Sequence, residues 1–235
     1  MASTNVRAVL LDIEGTTTPI SFVHNVLFPY SRQHFTSYLE QHADSSDVIA
    51  DLAQLRTEHI VDVDDGQQPP PLTEQYVYWL IDRDRKSPAL KSLQGKIWEQ
   101  GYRDGTLKSS VFAEVPLALQ RWHESGTSVN IFSSGSVLAQ KLLFAHTDAG
   151  DLTKLINAYF DTSVGKKTEA ESYRQIASSL STAAGEIHFI SDVIAELDAA
   201  SDAGMKTSLC VRPGNVVQES SSRHNTIHSF DEIGQ

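Results

Sequence analysis

The sequence predicts an α/β protein, a doubly wound parallel sheet with an inserted helical cap domain. Three observations carry that expectation. Four apolar segments, Ala8–Leu11, Val129–Phe132, Ile187–Ile190 and Ser208–Val211, are strand-like and alternate with helix-like stretches, which is the pattern of parallel strands joined by crossover helices. Gly126 and Gly204 close the helical stretches Val115–Glu124 and Ala195–Ala203, where a helix end favours a residue that tolerates left-handed backbone. Residues 12–128 separate the first strand from the second, too many for one crossover, so an inserted domain is the economical explanation.

The first strand ends in chemistry. Val9-Leu10-Leu11 runs into Asp12-Ile13-Glu14-Gly15-Thr16-Thr17, and strand alternation would put Asp12 and Glu14 on one side with Ile13 on the other. Gly15 allows the backbone to turn close to a ligand. Two neighbouring carboxylates repel, so the pair is costly unless a cation, a shared proton or a substrate uses it. The same residues would also suit a strand-end turn with solvated acids and a helix cap from Thr16 or Thr17.

The insert is expected over residues 22–108, leaving 1–21 and 109–235 as the catalytic core. Its helical candidates are Phe22–Gln41, Val48–His59, Glu74–Arg85 and Pro88–Tyr102, and Asp62–Pro71 reads as an exposed loop between them. Trp79, Trp98 and Trp122 fall in helical patterns and read as packing residues. Phe22 and His24 follow the first motif, with core or surface roles favoured over a place facing the cavity.

After the second strand come Ser133, Ser134 and Gly135, then the helical stretch Val137–His146. Ser134 and Ser136 could either contact substrate or cap that helix. Val164-Gly165-Lys166-Lys167-Thr168 opens the helical stretch Glu169–Leu180, and a lysine beside free helix N–H groups is a phosphate site on physical grounds. Ser191 and Asp192 follow the third strand. The lone cysteine, Cys210, lies in the fourth and reads as a small core residue. The segment Gln218–His224 reads as a polar, mobile tail before a last apolar contact through Ile227 and Phe230. His224 and His228 have a spacing that suits metal on a helix, but their polar neighbours point away from it.

Composition narrows the function. A chain of 235 residues with 40% hydrophobic and 21% charged residues buries an ordinary globular core. The net charge of -11 argues against a nucleic-acid surface. No apolar run reaches bilayer length and Met1–Asn5 lacks a secretory pattern, so an intracellular protein with no membrane partner is expected. An anionic ligand would therefore need a locally positive site built from metal, lysine and helix N-termini. A dinucleotide site is disfavoured because no Gly-x-Gly-x-x-Gly turn follows the first strand.

In an open parallel sheet, ligands bind beyond the carboxyl ends of the strands, where these residues should converge. Asp12, Glu14 and Asp192 would supply hard oxygen ligands to one Mg²⁺. Ser133 would offer a hydroxyl to phosphoryl oxygens, and a carboxylate nucleophile could pass through an aspartyl-phosphate.

These residues resemble the four motifs of the haloacid dehalogenase superfamily. Leu11–Ile20, Phe132–Ser136, Gln140–Phe144, Glu171–Arg174 and Val211–Asn215 further resemble the acireductone-forming enolase-phosphatase family of methionine salvage, which carries Glu where most of the superfamily has Asp, as at Glu14. The resemblance implies Asp12 as nucleophile and metal ligand, Glu14 near the metal as an acid/base group, and Ser133 and Ser134 in substrate binding. It further implies Lys167 as the motif lysine, Asp192 as the second metal carboxylate, and Glu196 as a supporting acid. Lys166 beside Lys167, and Asp198 near Glu196, are the points where the match leaves a choice. The implied substrate is the phosphorylated diketone 2,3-diketo-5-methylthiopentyl 1-phosphate, enolised and then dephosphorylated with Mg²⁺. The insert would exclude water and read the methylthio end. A monomer in the cytoplasm is expected, with the nucleus as a further location in a eukaryote.

Overall fold

A computed structural model describes residues 6–83, 85, 87–216 and 223–233. The chain divides into two compact units. One contains the described residues up to Val23 and from Lys108 onward; the other is His24–Leu107.

The first unit is built on one six-stranded sheet: β1 (Ala8–Leu11), β2 (Ser128–Phe132), β3 (Ala158–Phe160), β4 (Ile187–Ser191), β5 (Lys206–Cys210) and β6 (Asn225–Ile227), in the order β3-β2-β1-β4-β5-β6. Every neighbouring pair is parallel, and Leu11 stands opposite Ile131 on one side and Ile190 on the other. All four residues of β1 are buried, as a central strand covered on both faces requires. The chain leaves β1 for β2 on one side and later returns to β4 on the other, so the sheet's switch point lies at the carboxyl ends of β1 and β4.

Helices α1 (Ile20–Phe22), α2 (Phe28–Gln41), α3 (Ser46–Asp64), α4 (Glu74–Asp82) and α5 (Pro88–Arg103) precede β2, and α6 (Val115–Glu124), α7 (Val137–Ala145), α8 (Ala170–Ser179) and α9 (Ile194–Asp202) belong to the sheet unit. α6 buries Val115, Ala118, Leu119 and Trp122, the i, i+3, i+4, i+7 stripe of an amphipathic helix. Ile176 and Ala177 of α8 and Leu197 and Ala200 of α9 share one core with Leu10, Phe132, Phe189 and Leu209. Cys210, at the end of β5, is also buried, and burial pushes its thiol up to about 12. Among the described residues, no helix is long and apolar enough to cross a membrane.

The second unit packs α2 to α5 around Phe35, Val48, Leu55, Tyr76, Leu80, Leu93 and Ile97. α2 and α5 touch closely at Gly101, where an added Cβ would lie 2.5 Å from the Tyr30 hydroxyl. Val23–Leu27 is π-helical; Pro29 has no N–H to return to Asn25, and the turn before it widens.

Several expectations change. The sheet has six strands rather than four, because β3 and β6 have three residues each, too short for a periodic signal. Asp62 does not lie in an exposed loop: α3 runs to Asp64, and Asp62 is buried, accepting a hydrogen bond from the Tyr76 hydroxyl at 2.8 Å and pairing with Arg85. The tail reading of Gln218–Ser222 lies outside the described residues. His224 does not belong to a tail, since it is buried, with Nδ1 2.7 Å from Thr207 Oγ1 and Nε2 3.1 Å from Asp198 Oδ1. The apolar contact through Ile227 and Phe230 is present, and Trp79, Trp98 and Trp122 are buried packing residues.

Candidate active site

β1 stops at Leu11, and the chain turns at once. The N–H groups of Thr16, Thr17 and Thr18 all donate to the Ile13 carbonyl, at 3.2, 3.0 and 2.9 Å. Thr17 Oγ1 lies 3.2 Å from the carbonyls of Asp12 and Ile13, so it closes this turn rather than capping a helix; the α1 N-cap is Pro19. Gly15 has φ +68°, and an added Cβ would collide with the Asp192 carboxylate and lie 2.9 Å from Asn215 Oδ1. Only a residue without a side chain fits there.

Asp12 is buried at the end of β1. Lys167 Nζ lies 2.6 Å from Asp12 Oδ1 and 2.6 Å from Glu196 Oε2, both within a largely enclosed space. Ser191 Oγ lies 3.3 Å from Asp12 Oδ2 and 3.1 Å from Glu196 Oε2, and accepts from the Val193 N–H at 3.2 Å. Ser191 thus braces the carboxylates that Lys167 joins.

The two lysines separate cleanly. Lys166 is exposed and pairs with Glu169 at 3.1 Å, whereas Lys167 is buried. The first turn of α8 holds this segment: Ser172 Oγ donates to the Lys166 carbonyl and the Tyr173 hydroxyl to the Lys167 carbonyl, each at 2.7 Å. Tyr173 is itself fixed between Phe132 and Phe189. Asp198 does not compete with Glu196, because it faces Arg223 and His224.

One lysine does not neutralise this pocket. Burial opposes the Lys167 charge, but Asp12 and Glu196 outweigh it and raise its pKa. Burial, then the Asp12 charge, raises Asp192 to about 7. The same two causes raise Glu196 despite its contact with Lys167. Negative charge exceeds positive at a site with little water to screen it.

Ser133, buried after β2, is held by its N–H on the Phe160 carbonyl at 3.1 Å, and its hydroxyl oxygen accepts from the Gly135 N–H at 3.2 Å. Its hydroxyl hydrogen is not spent in that bond. Gln140, a residue the sequence reading left without a role, supports the loop by donating to the carbonyls of Gly135 and Phe160 at 2.9 and 2.8 Å. Ser136 is the N-cap of α7, accepting from Ala139 N–H at 3.3 Å; Ser134, just upstream, is half-buried.

The expected cluster of three carboxylates is not assembled. Glu14 is half-buried at an isolated bridge with Thr18, and among the described residues no three His, Cys, Asp or Glu side chains form a group that could hold a metal. Glu14 lies beyond the end of β1 at Leu11, in the turn that follows Asp12.

A haloacid dehalogenase-like hydrolase family pattern matches residues 6–204. Enolase-phosphatase E1 of Synechococcus elongatus is 48% identical over 234 residues, covering 97% of this chain and 98% of that protein. Enolase-phosphatase E1 of Sorangium cellulosum is 47% identical over 236 residues, covering 99% of each. The crystal structure of the UTR4 protein (Unknown transcript 4 protein) from Saccharomyces cerevisiae superposes with a TM-score of 0.80 at 36% identity, covering 97% of this chain and all of that one.

Proposed function

This chain belongs to the haloacid dehalogenase-like hydrolases and, within them, to the enolase-phosphatases, and on that premise we propose how its residues divide the reaction. The activity is the methionine-salvage step that converts 2,3-diketo-5-methylthiopentyl 1-phosphate to the acireductone 1,2-dihydroxy-3-keto-5-methylthiopentene and phosphate.

Asp12 is proposed as the nucleophile. The observation that carries this role is the contact of its Oδ1 with Lys167 at 2.6 Å, which holds a buried carboxylate at the sheet's switch point. In the first step a proton leaves the carbon bearing the phosphate and the neighbouring carbonyl oxygen gains one. In the second, an Asp12 oxygen bonds to phosphorus while the bond from phosphorus to the substrate oxygen breaks, and the leaving enol takes up a proton from Glu14, which later accepts one from the attacking water. Water then attacks the aspartyl-phosphate, releasing phosphate and restoring Asp12. Ser133 donates its hydroxyl to a phosphoryl oxygen, with Ser134 beside it, and Lys167 offsets charge on phosphate and nucleophile. Glu196 holds Lys167.

Mg²⁺ is the proposed cofactor, one per chain. The donor set fits: Asp12 and Asp192 are hard oxygen ligands, and burial, then the Asp12 charge, disfavours ionised Asp192, a cost a divalent cation would offset. Two carboxylates suffice for an ion that keeps water and phosphate oxygens as its other ligands, so the metal assignment does not require the Glu14 side chain. When bound, Mg²⁺ stabilises negative charge on the phosphate and the enolate. Catalysis is assigned to the sheet unit and the role of cap to the helical unit, with a single chain as the working enzyme.

The test is to incubate the protein with the diketo phosphate and Mg²⁺ while following enol absorbance and free phosphate. Asp12→Asn should remain folded and release no phosphate, because an amide is a poor nucleophile. Appreciable turnover by the folded variant would sink the assignment.

A further inference from the structure

The stretch Val211–Asn215 after β5 has no part in the reaction above, yet two of its side chains reach the turn that follows Asp12. Arg212 Nη2 lies 2.5 Å from Glu114 Oε1 and donates to the Thr16 carbonyl at 3.1 Å. Its Nη1 donates to the His228 carbonyl at 2.8 Å, and the guanidinium lies 4.4 Å from the Phe112 ring centroid and 5.1 Å from that of Phe230. Asn215 Nδ2 donates to the Gly15 carbonyl at 2.9 Å and to the Cys210 carbonyl at 3.4 Å. Among the described residues, Asn215 Oδ1 is buried without a hydrogen-bond partner. It borders the point at Gly15 that the Asp192 carboxylate also crowds.

Within the turn, the N–H groups of Thr16, Thr17 and Thr18 donate to the Ile13 carbonyl and the Gly15 N–H donates to the Thr18 carbonyl at 2.8 Å. These bonds close the turn on itself. Other segments of the sheet unit grip it through Phe112 N–H on the Thr17 carbonyl at 3.0 Å, Arg212 on Thr16 and Asn215 on Gly15. Three successive carbonyls are gripped, two of them by one loop. A buried arginine needs a counter-ion to be tolerated; this one has Glu114, and while its Nε makes no hydrogen bond among the described residues, it spends an Nη2 bond on the turn directly after the proposed nucleophile.

We propose that Arg212 and Asn215 are positioning residues for the reaction: by holding the carbonyls of Thr16 and Gly15 they fix the Asp12 carboxylate relative to Asp192. This rests on the reading of Asp12 as nucleophile. Misplacing a reacting group by about one ångström costs on the order of a hundredfold in rate, so loss of either anchor should act on turnover rather than on substrate binding.

The experiment compares Asn215→Ala, Arg212→Lys and Asp12→Asn in the full chain. Arg212→Lys keeps a positive charge against Glu114 but replaces the planar fork, which separates charge burial from the grip on two carbonyls. Both loop variants should lose about ten- to hundredfold in kcat with KM changed by less than about threefold. In metal-free protein, amide exchange in the peptide spanning residues 13–18 should accelerate about tenfold or more. A kcat within about twofold of the parent, a loss that merely tracks the unfolded fraction, or unchanged exchange in that peptide would overturn the proposal. Turnover by Asp12→Asn would remove the underlying reading and this inference with it. An inactive Asp12→Asn beside an unimpaired Asn215→Ala would sink this inference alone.

Discussion

Lys167 Nζ lies 2.6 Å from Oδ1 of Asp12, a contact between residues 155 positions apart. The same ammonium lies 2.6 Å from Glu196, so one cation joins the end of β1 to the first turn of α9. Lys166, its neighbour in sequence, points outward to Glu169.

Lys167→Ala should therefore cost far more than Lys166→Ala. It removes the cation shared by buried Asp12 and half-buried Glu196, and a buried charge-assisted contact is worth about 1.5–3 kcal/mol, a loss of about ten- to hundredfold in rate. Steady-state kinetics on both variants check this; equal, small effects would mean that phosphate is held elsewhere.

Gly15→Ala should abolish turnover more thoroughly than it destabilises the fold. The left-handed backbone at +68° strains alanine, by about 1–3 kcal/mol, while the new methyl group must displace the Asp192 carboxylate. A melting curve beside an assay separates the two effects, and a variant that is folded and fully active would contradict the geometry.

Asp192→Asn should raise the Mg²⁺ concentration needed for half-maximal activity, with excess Mg²⁺ restoring part of the rate. The amide is a weaker hard-cation ligand than the carboxylate it replaces. A magnesium titration decides the matter, since unaltered metal dependence would remove Asp192 from the site.

His188 makes the fold acid-sensitive. Burial, then the Lys206 charge, lowers its pKa to about 4 from 6.5. Above about pH 6.5 neither folded nor unfolded chain protonates it. As pH falls from there to about 4, the unfolded chain takes up a proton that the native state refuses, so stability declines by up to about 3 kcal/mol. His188→Gln keeps a polar partner for Ser208, which lies 2.8 Å from Nε2, and should flatten that limb in denaturant melts taken across the window. An unchanged acid limb would assign the sensitivity to other groups.

Strand ends were legible in the sequence because a buried parallel strand must be apolar throughout and chemistry can begin only where it stops. That rule located Asp12, Ser133 and Asp192. The helical periodicity of α6 was equally plain, since its apolar stripe repeats over two turns. Asp62 was misread because polarity in a sequence looks like exposure until a partner is known, and its partners Tyr76 and Arg85 lie on other segments. β3 and β6 gave no readable pattern at three residues each.

By itself, then, the sequence determined the element types, the order of the reactive residues along the chain and the family resemblance, because these depend on local periodicity and on residue identity. The tertiary structure alone decided which of two adjacent lysines turns inward and why Glu196 rather than Asp198 meets it. It also joined Arg212 and Asn215 to the carbonyls of Thr16 and Gly15. Such choices arise from contacts between segments far apart in the chain, where burial and charge are settled only once the sheet has brought β1, β4 and β5 side by side.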